Sequence, residues 1–63
     1  MPVIPNIIGM DKDSALAELA NVGLTNVETN GEGPKAIDVE GPNNAGVGDN
    51  VERDAQIDVQ LGN

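Results

Sequence analysis

Asp11-Lys12-Asp13-Ser14-Ala15-Leu16-Ala17-Glu18-Leu19-Ala20-Asn21-Val22-Gly23-Leu24 decides the fold. Asp11 is a strong N-cap, because its carboxylate can accept from the free N–H groups of the first turn. Asp13 puts a further negative charge where the helix dipole favours one. Met10 before the cap and Ala15 within the helix fit a small hydrophobic staple. Ala15, Leu16, Leu19 and Ala20 recur at helical spacing and make one apolar stripe, with Lys12 and Glu18 pointing away. Gly23 supplies the left-handed residue that stops the helix, and Leu24 can fold back onto Leu19 in a Schellman-type contact. Start, face and stop agree on a helix over about Lys12 to Val22.

The flanking sequence reads as extended chain. Pro2-Val3-Ile4-Pro5-Asn6-Ile7-Ile8 is apolar but interrupted by two prolines, so it suits an edge or a lead-in, and Gly9 lets it turn. After the helix, Val27-Glu28-Thr29 forms a short strand that runs into the turn signal Asn30-Gly31-Glu32-Gly33-Pro34. Ala36-Ile37-Asp38-Val39-Glu40 alternates apolar and acidic, which predicts one buried face and one wet face. Gly41 to Asn50 is a long turn-rich loop, and Gln56-Ile57-Asp58-Val59-Gln60-Leu61 alternates with Ile57, Val59 and Leu61 inward. A helix followed by strands of this kind predicts an α+β domain. The expected architecture is one α-helix packed on a small, mostly antiparallel three-stranded sheet, with Leu19 against Ile37 and Val59.

Composition narrows what such a domain can do. The 63 residues contain no His, Cys, Trp, Tyr or Phe, and one serine, Ser14. The usual general bases, soft metal ligands, activated nucleophiles and stacking platforms are therefore missing. Ser14 at a helix start, with no base to activate it, is structural. Neither Asp11 with Asp13 nor Asp49 with Asn50 follows the spacing of a calcium loop. The expectation is a non-enzyme with no cofactor and no metal. Without disulfides or zinc, a chain this short hides only about 60% of its unfolded surface, and a core of this size supplies at most about 3–5 kcal/mol.

The formal charge is −8, from eleven acids against Lys12, Lys35 and Arg53. Nucleic acid and anionic membrane surfaces would be repelled, and no apolar run is long enough for a membrane span. No nucleic-acid partner and no direct membrane insertion are expected. The chain, residues 1–63, reads as a single domain taken from a larger protein, without a signal peptide of its own and monomeric.

Several segments together resemble the PASTA domain of penicillin-binding proteins and of bacterial serine/threonine kinases. Ile4-Pro5-Asn6-Ile7-Ile8-Gly9-Met10 is similar to the opening of that family, and Ala15, Leu19, Gly23 and Leu24 match its helix. Val39, Pro42, the Gly46 and Gly48 turn, Val51 and Ile57-Asp58-Val59-Gln60-Leu61-Gly62 match its end. The likeness runs from Val3 to Gly62. Three departures stand out: Glu40 replaces a usual glutamine, the turn from Pro42 to Gly48 is longer, and Asp54 replaces a glycine that a left-handed turn would favour.

The resemblance implies an extracytoplasmic setting at a bacterial membrane or cell wall, as part of a membrane-anchored parent. It is most like the lone C-terminal PASTA unit of a bifunctional, class A penicillin-binding protein, which builds peptidoglycan by transglycosylation and transpeptidation. The alternative parent is a peptidoglycan-sensing serine/threonine kinase. Partners in either setting would be peptidoglycan stem peptides or cell-wall proteins, and some members of the family recognise β-lactams. The candidate ligand residues are Glu40, Asn43 and Asn44, as a polar rim, and Arg53, as a fork for a carboxylate. Competing roles are plainer: the asparagines as turn formers, and the module as a spacer that binds neither stem peptide nor drug.

Overall fold

A computed structural model describes residues 2–62 and shows the α+β arrangement: one helix packed on a three-stranded sheet. The chain forms α1 (Lys12–Asn21), β1 (Val27–Asn30), β2 (Lys35–Glu40), a 3-10 turn (Pro42–Asn44) and β3 (Ile57–Gly62). The last strand enters the middle of the sheet, giving the order β1-β3-β2. It runs parallel to β1 and antiparallel to β2, so the sheet is mixed. The central place goes to the strand with the cleanest apolar alternation, and Ile57 and Val59 are fully buried there.

The helix ends follow the sequence closely. The Asp11 carboxylate accepts from Ser14 N–H at 3.3 Å. At the other end Gly23 takes φ +96°. Gly23 N–H donates to the Ala20 carbonyl at 3.0 Å, and Leu24 N–H to the Leu19 carbonyl at 2.9 Å. These two bonds define a Schellman stop, and both Leu19 and Leu24 are buried. Ala15 and Leu19 carry the helix's buried stripe, Leu16 is half-buried, and Ala20 lies in solvent.

The N-terminal lead-in is held at both ends. Val3 bridges Asn50, and Ile4 exchanges backbone bonds with the 48–49 segment: its N–H donates to Asp49 at 3.0 Å, and its carbonyl accepts from Gly48 at 2.9 Å. Ile4 and Ile7 thereby enter the core with Leu19, Leu24, Val39, Val51, Ile57 and Val59. No charged or polar residue is buried among the described residues.

The expected contact of Ile37 with Leu19 is corrected. Ile37 is 50% exposed, and Ala36 and Val39 point inward instead. A β-bulge is responsible: Ala36 pairs with Leu61 and Asp38 with Gln60, leaving Ile37 as the extra residue. Its side chain lies across Gly62, where a Cβ would come within 2.8 Å of the Ile37 Cδ1. The β1–β2 link passes close to the same strand end. A Cβ on Gly33 would sit 2.4 Å from the Gly62 Cα, so only glycine fits.

Candidate functional site

β2 ends at Glu40, and the chain turns at once through Gly41 into the 3-10 turn. Asn43 at φ 58° and Asn44 at φ 63° are the two non-glycine residues in the left-handed region among those described. Asparagine tolerates that region better than most residues, so both serve as turn formers. The loop is tied down by its own bonds. Gly41 N–H donates to the Ala45 carbonyl at 2.8 Å, and Gly46 N–H donates to the Asp49 carboxylate at 2.8 Å. Asp54 has no left-handed φ, so the turn at this position needs no glycine and the substitution brings no backbone strain.

An open groove of about 570 Å3 lies between this turn and the segment that follows it. Pro42, Asn43 and Ala45 form one wall, Asp49, Asn50 and Glu52 the other, with Val51 between them. Of the four candidate residues only Asn43 lines it. Asn44 and Glu40 lie outside, exposed. Arg53 is directed elsewhere: its Cγ lies 3.7 Å from where a side chain on Gly23 would begin. It thus rests at the C-terminal end of α1, where the helix dipole favours a cation. No Lys or Arg lines the groove, whereas Asp49 and Glu52 do. A ligand carboxylate would meet two acids and no partner to neutralise it.

A second groove of about 450 Å3 lies at the start of α1, between Gly9, Met10 and Asp11 on one side and Ser14, Ala17 and Glu18 on the other. Hydrogen bonding from Ser14, first through its hydroxyl and then through its N–H, holds the Asp11 carboxyl below the ordinary carboxylate range. Ser14 therefore serves the helix cap, in keeping with its expected structural role. No group of three or more acids close enough to hold a metal occurs among the described residues.

The most distinctive polar arrangement lies elsewhere. On the sheet face away from the helix, Asp58 of β3 pairs with Glu28 of β1 on one side and with Glu40 of β2 on the other. Three carboxylates thus cross the sheet in one row. Gln56 partly bridges two of them, its amide donating to the Glu28 carboxylate at 3.0 Å and to that of Asp58 at 3.4 Å. The acids at alternate strand positions mark this face as wet in the sequence, but only the strand order aligns them.

The chain matches no family model, no curated protein and no solved structure.

Proposed function

We propose that this chain is a non-catalytic PASTA-like module, held outside the cytoplasmic membrane by its parent protein, that positions the parent at the cell wall rather than gripping a ligand. The parent best suited to a single such module is a bifunctional penicillin-binding protein. Support comes from one observation: the residues that carry the resemblance are the ones that build the fold. Gly9, Gly23 and Gly48 all take positive φ, and Ile4, Ile7, Ala15, Leu19, Leu24, Val39, Val51, Ile57 and Val59 are all the buried positions among the described residues except Ala36. Among the described residues no helix is long and apolar enough to cross a membrane, so the anchor in this reading belongs to the parent.

The groove chemistry supports the positioning role over sensing. Stem peptides and β-lactams present a carboxylate, which calls for a paired cation in a partly desolvated site. The groove beside Asn43 offers Asp49 and Glu52 instead. Titration with a synthetic stem-peptide muropeptide and with a penicillin, read from backbone amide shifts, tests the reading. Binding no tighter than about millimolar, worth about −4 kcal/mol, is expected. Saturable micromolar shifts around residues 40–44 or Arg53 would restore the sensing role. A parent reading frame without peptidoglycan synthase domains would overturn the assignment of the parent.

A further inference from the structure

The two edges of the sheet are not alike. Along the outer side of β2 the backbone is closed by three devices. Gly9 N–H donates to the Ala36 carbonyl and Ala36 N–H to the Met10 carbonyl, both at 2.8 Å. Val39 N–H is taken by the carboxylate of its own neighbour, Asp38, at 2.9 Å. Gly41 N–H is covered by the Ala45 carbonyl. Covering an edge in such ways is how sheets avoid pairing with other chains.

β1 forms the other edge without such cover. Ile57 N–H donates to the Asn26 carbonyl at 2.9 Å, and Val27 lies opposite Ile57 and Thr29 opposite Val59. In a parallel ladder, alternate residues direct both backbone groups to the same side. Asn26, Glu28 and Asn30 therefore face β3, and Val27 and Thr29 face outward. Among the described residues, no hydrogen bond outside the strand ladder reaches the backbone of Val27 or Thr29. Their outward groups repeat every two residues, about 6.6 Å, which is the spacing an added strand presents.

Charge selects the occupant. Glu28 stands between these two residues, and the row of acids continues through Asp58 to Glu40. The chain's cations, Lys12, Lys35 and Arg53, lie on other elements. A second copy adding antiparallel, with Val27 opposite the other Thr29, would set Glu28 against its own counterpart, and like charges directly opposed are destabilising. A basic strand would find the same carboxylate complementary.

We propose that the outer edge of β1 docks an extended segment of a basic polypeptide. The segment would add as a fourth strand, bonded to the backbone of Val27 and Thr29, with a lysine or arginine against Glu28. This inference does not depend on the peptidoglycan reading, since it uses a different surface and the opposite ligand charge.

The test is a titration of the isotope-labelled chain with a capped hexapeptide alternating lysine and valine, beside one alternating glutamate and valine. The lysine peptide should give saturable shifts and slowed hydrogen exchange at the Val27 and Thr29 amides, with at least tenfold weaker binding of the glutamate peptide. Thr29→Pro removes one outward donor but no β3 ladder bond, and should weaken the lysine peptide at least tenfold. Should proline disturb the strand, Glu28→Lys keeps both donors and should invert the preference between the peptides. Four results would overturn the proposal: equal binding of both peptides; shifts confined to Asp38, Glu40 and Asp58; no saturation by about 1 mM; or self-association through β1, which would give the edge to a second copy.

Discussion

Asp58→Asn isolates what the acidic row does to stability. The substitution keeps the shape of the side chain and its ability to accept the Gln56 hydrogen bond, while removing the charge that faces Glu28 and Glu40. Directly opposed residues have Cβ atoms about 4.5–5.5 Å apart, so the carboxylates settle about 6 Å from each other. At that distance two unit charges repel by about 0.7 kcal/mol in a water-like dielectric, and two such pairs give about 1.4 kcal/mol. The Gln56 amide, which donates to both Glu28 and Asp58, offsets part of this and leaves about 1 kcal/mol net. For a domain of this size, that corresponds to a rise in Tm of about 4–8 °C. Circular dichroism melts at pH 7 in about 0.01 M and 0.1 M salt would measure it, because the Debye length falls from about 30 Å to about 10 Å between them. The wild-type Tm should rise with salt, and the Asp58→Asn advantage should shrink. A variant no more stable than the parent at low salt, or an advantage equal at both salt concentrations, would show that the row does not repel as its register implies.

Two further perturbations check the core and the helix cap. Leu19→Ala should cost roughly 2–5 kcal/mol, comparable to everything a core this small supplies; a cooperative melt near the parent's Tm would refute the placement of Leu19 at the centre of packing. Asp11→Ala should lower the Tm at pH 7, since the folded-state pKa of Asp11 is depressed by Ser14. The capping contribution is then fully present above the ordinary value of 3.8 and lost as pH falls through the lower folded value, so the two melts should converge in strong acid, and a gap that persists there would refute the charge-based account of the cap.

Legibility in the sequence tracked how local the deciding interactions are. The helix was readable because its cap, stripe and stop lie within fourteen consecutive residues, and the structure forms it over Lys12–Asn21 with Val22 as its C-cap. The closing strand was readable for the same reason. Ile37 was not, because period-two alternation assumes an unbroken pleat, and one extra residue reverses every inward position beyond it. The Asp38 carboxylate that takes the Val39 N–H is local, but what makes room for the bulge is not: Gly62, across the sheet, leaves a flat surface for Ile37. Strand order is likewise non-local, so neither the parallel β1–β3 pair nor the acidic row could be seen. At the candidate site, the turn-forming role of Asn43 and Asn44 was legible from residue type. The separation of Arg53 from them was not, since it depends on α1 and the 53–54 turn meeting in space.

The distribution of charge links these surfaces into one constraint on function. Arg53 lies over the end of α1, and Lys35 sits opposite Asp11 in an isolated backbone β-bridge beside the helix start. Neither lines the groove near Asn43, which is walled by acids, and the open sheet face carries its row of carboxylates. An anionic ligand is therefore opposed in both grooves described, which are lined by Asp49 and Glu52 and by Asp11 and Glu18. A basic partner is favoured at the β1 edge, whose outward backbone groups are free among the described residues. Solubility alone would be served by acids scattered at random. Aligning three of them across the strands costs stability that scattering would avoid, and the alignment begins at Glu28, on that same edge. If Asp58→Asn stabilises the fold and also weakens the lysine peptide, the repulsion in the row is the cost of a surface that selects positive charge. If it stabilises the fold and leaves the peptide unaffected, Glu28 alone does the selecting and the rest of the row is incidental to it.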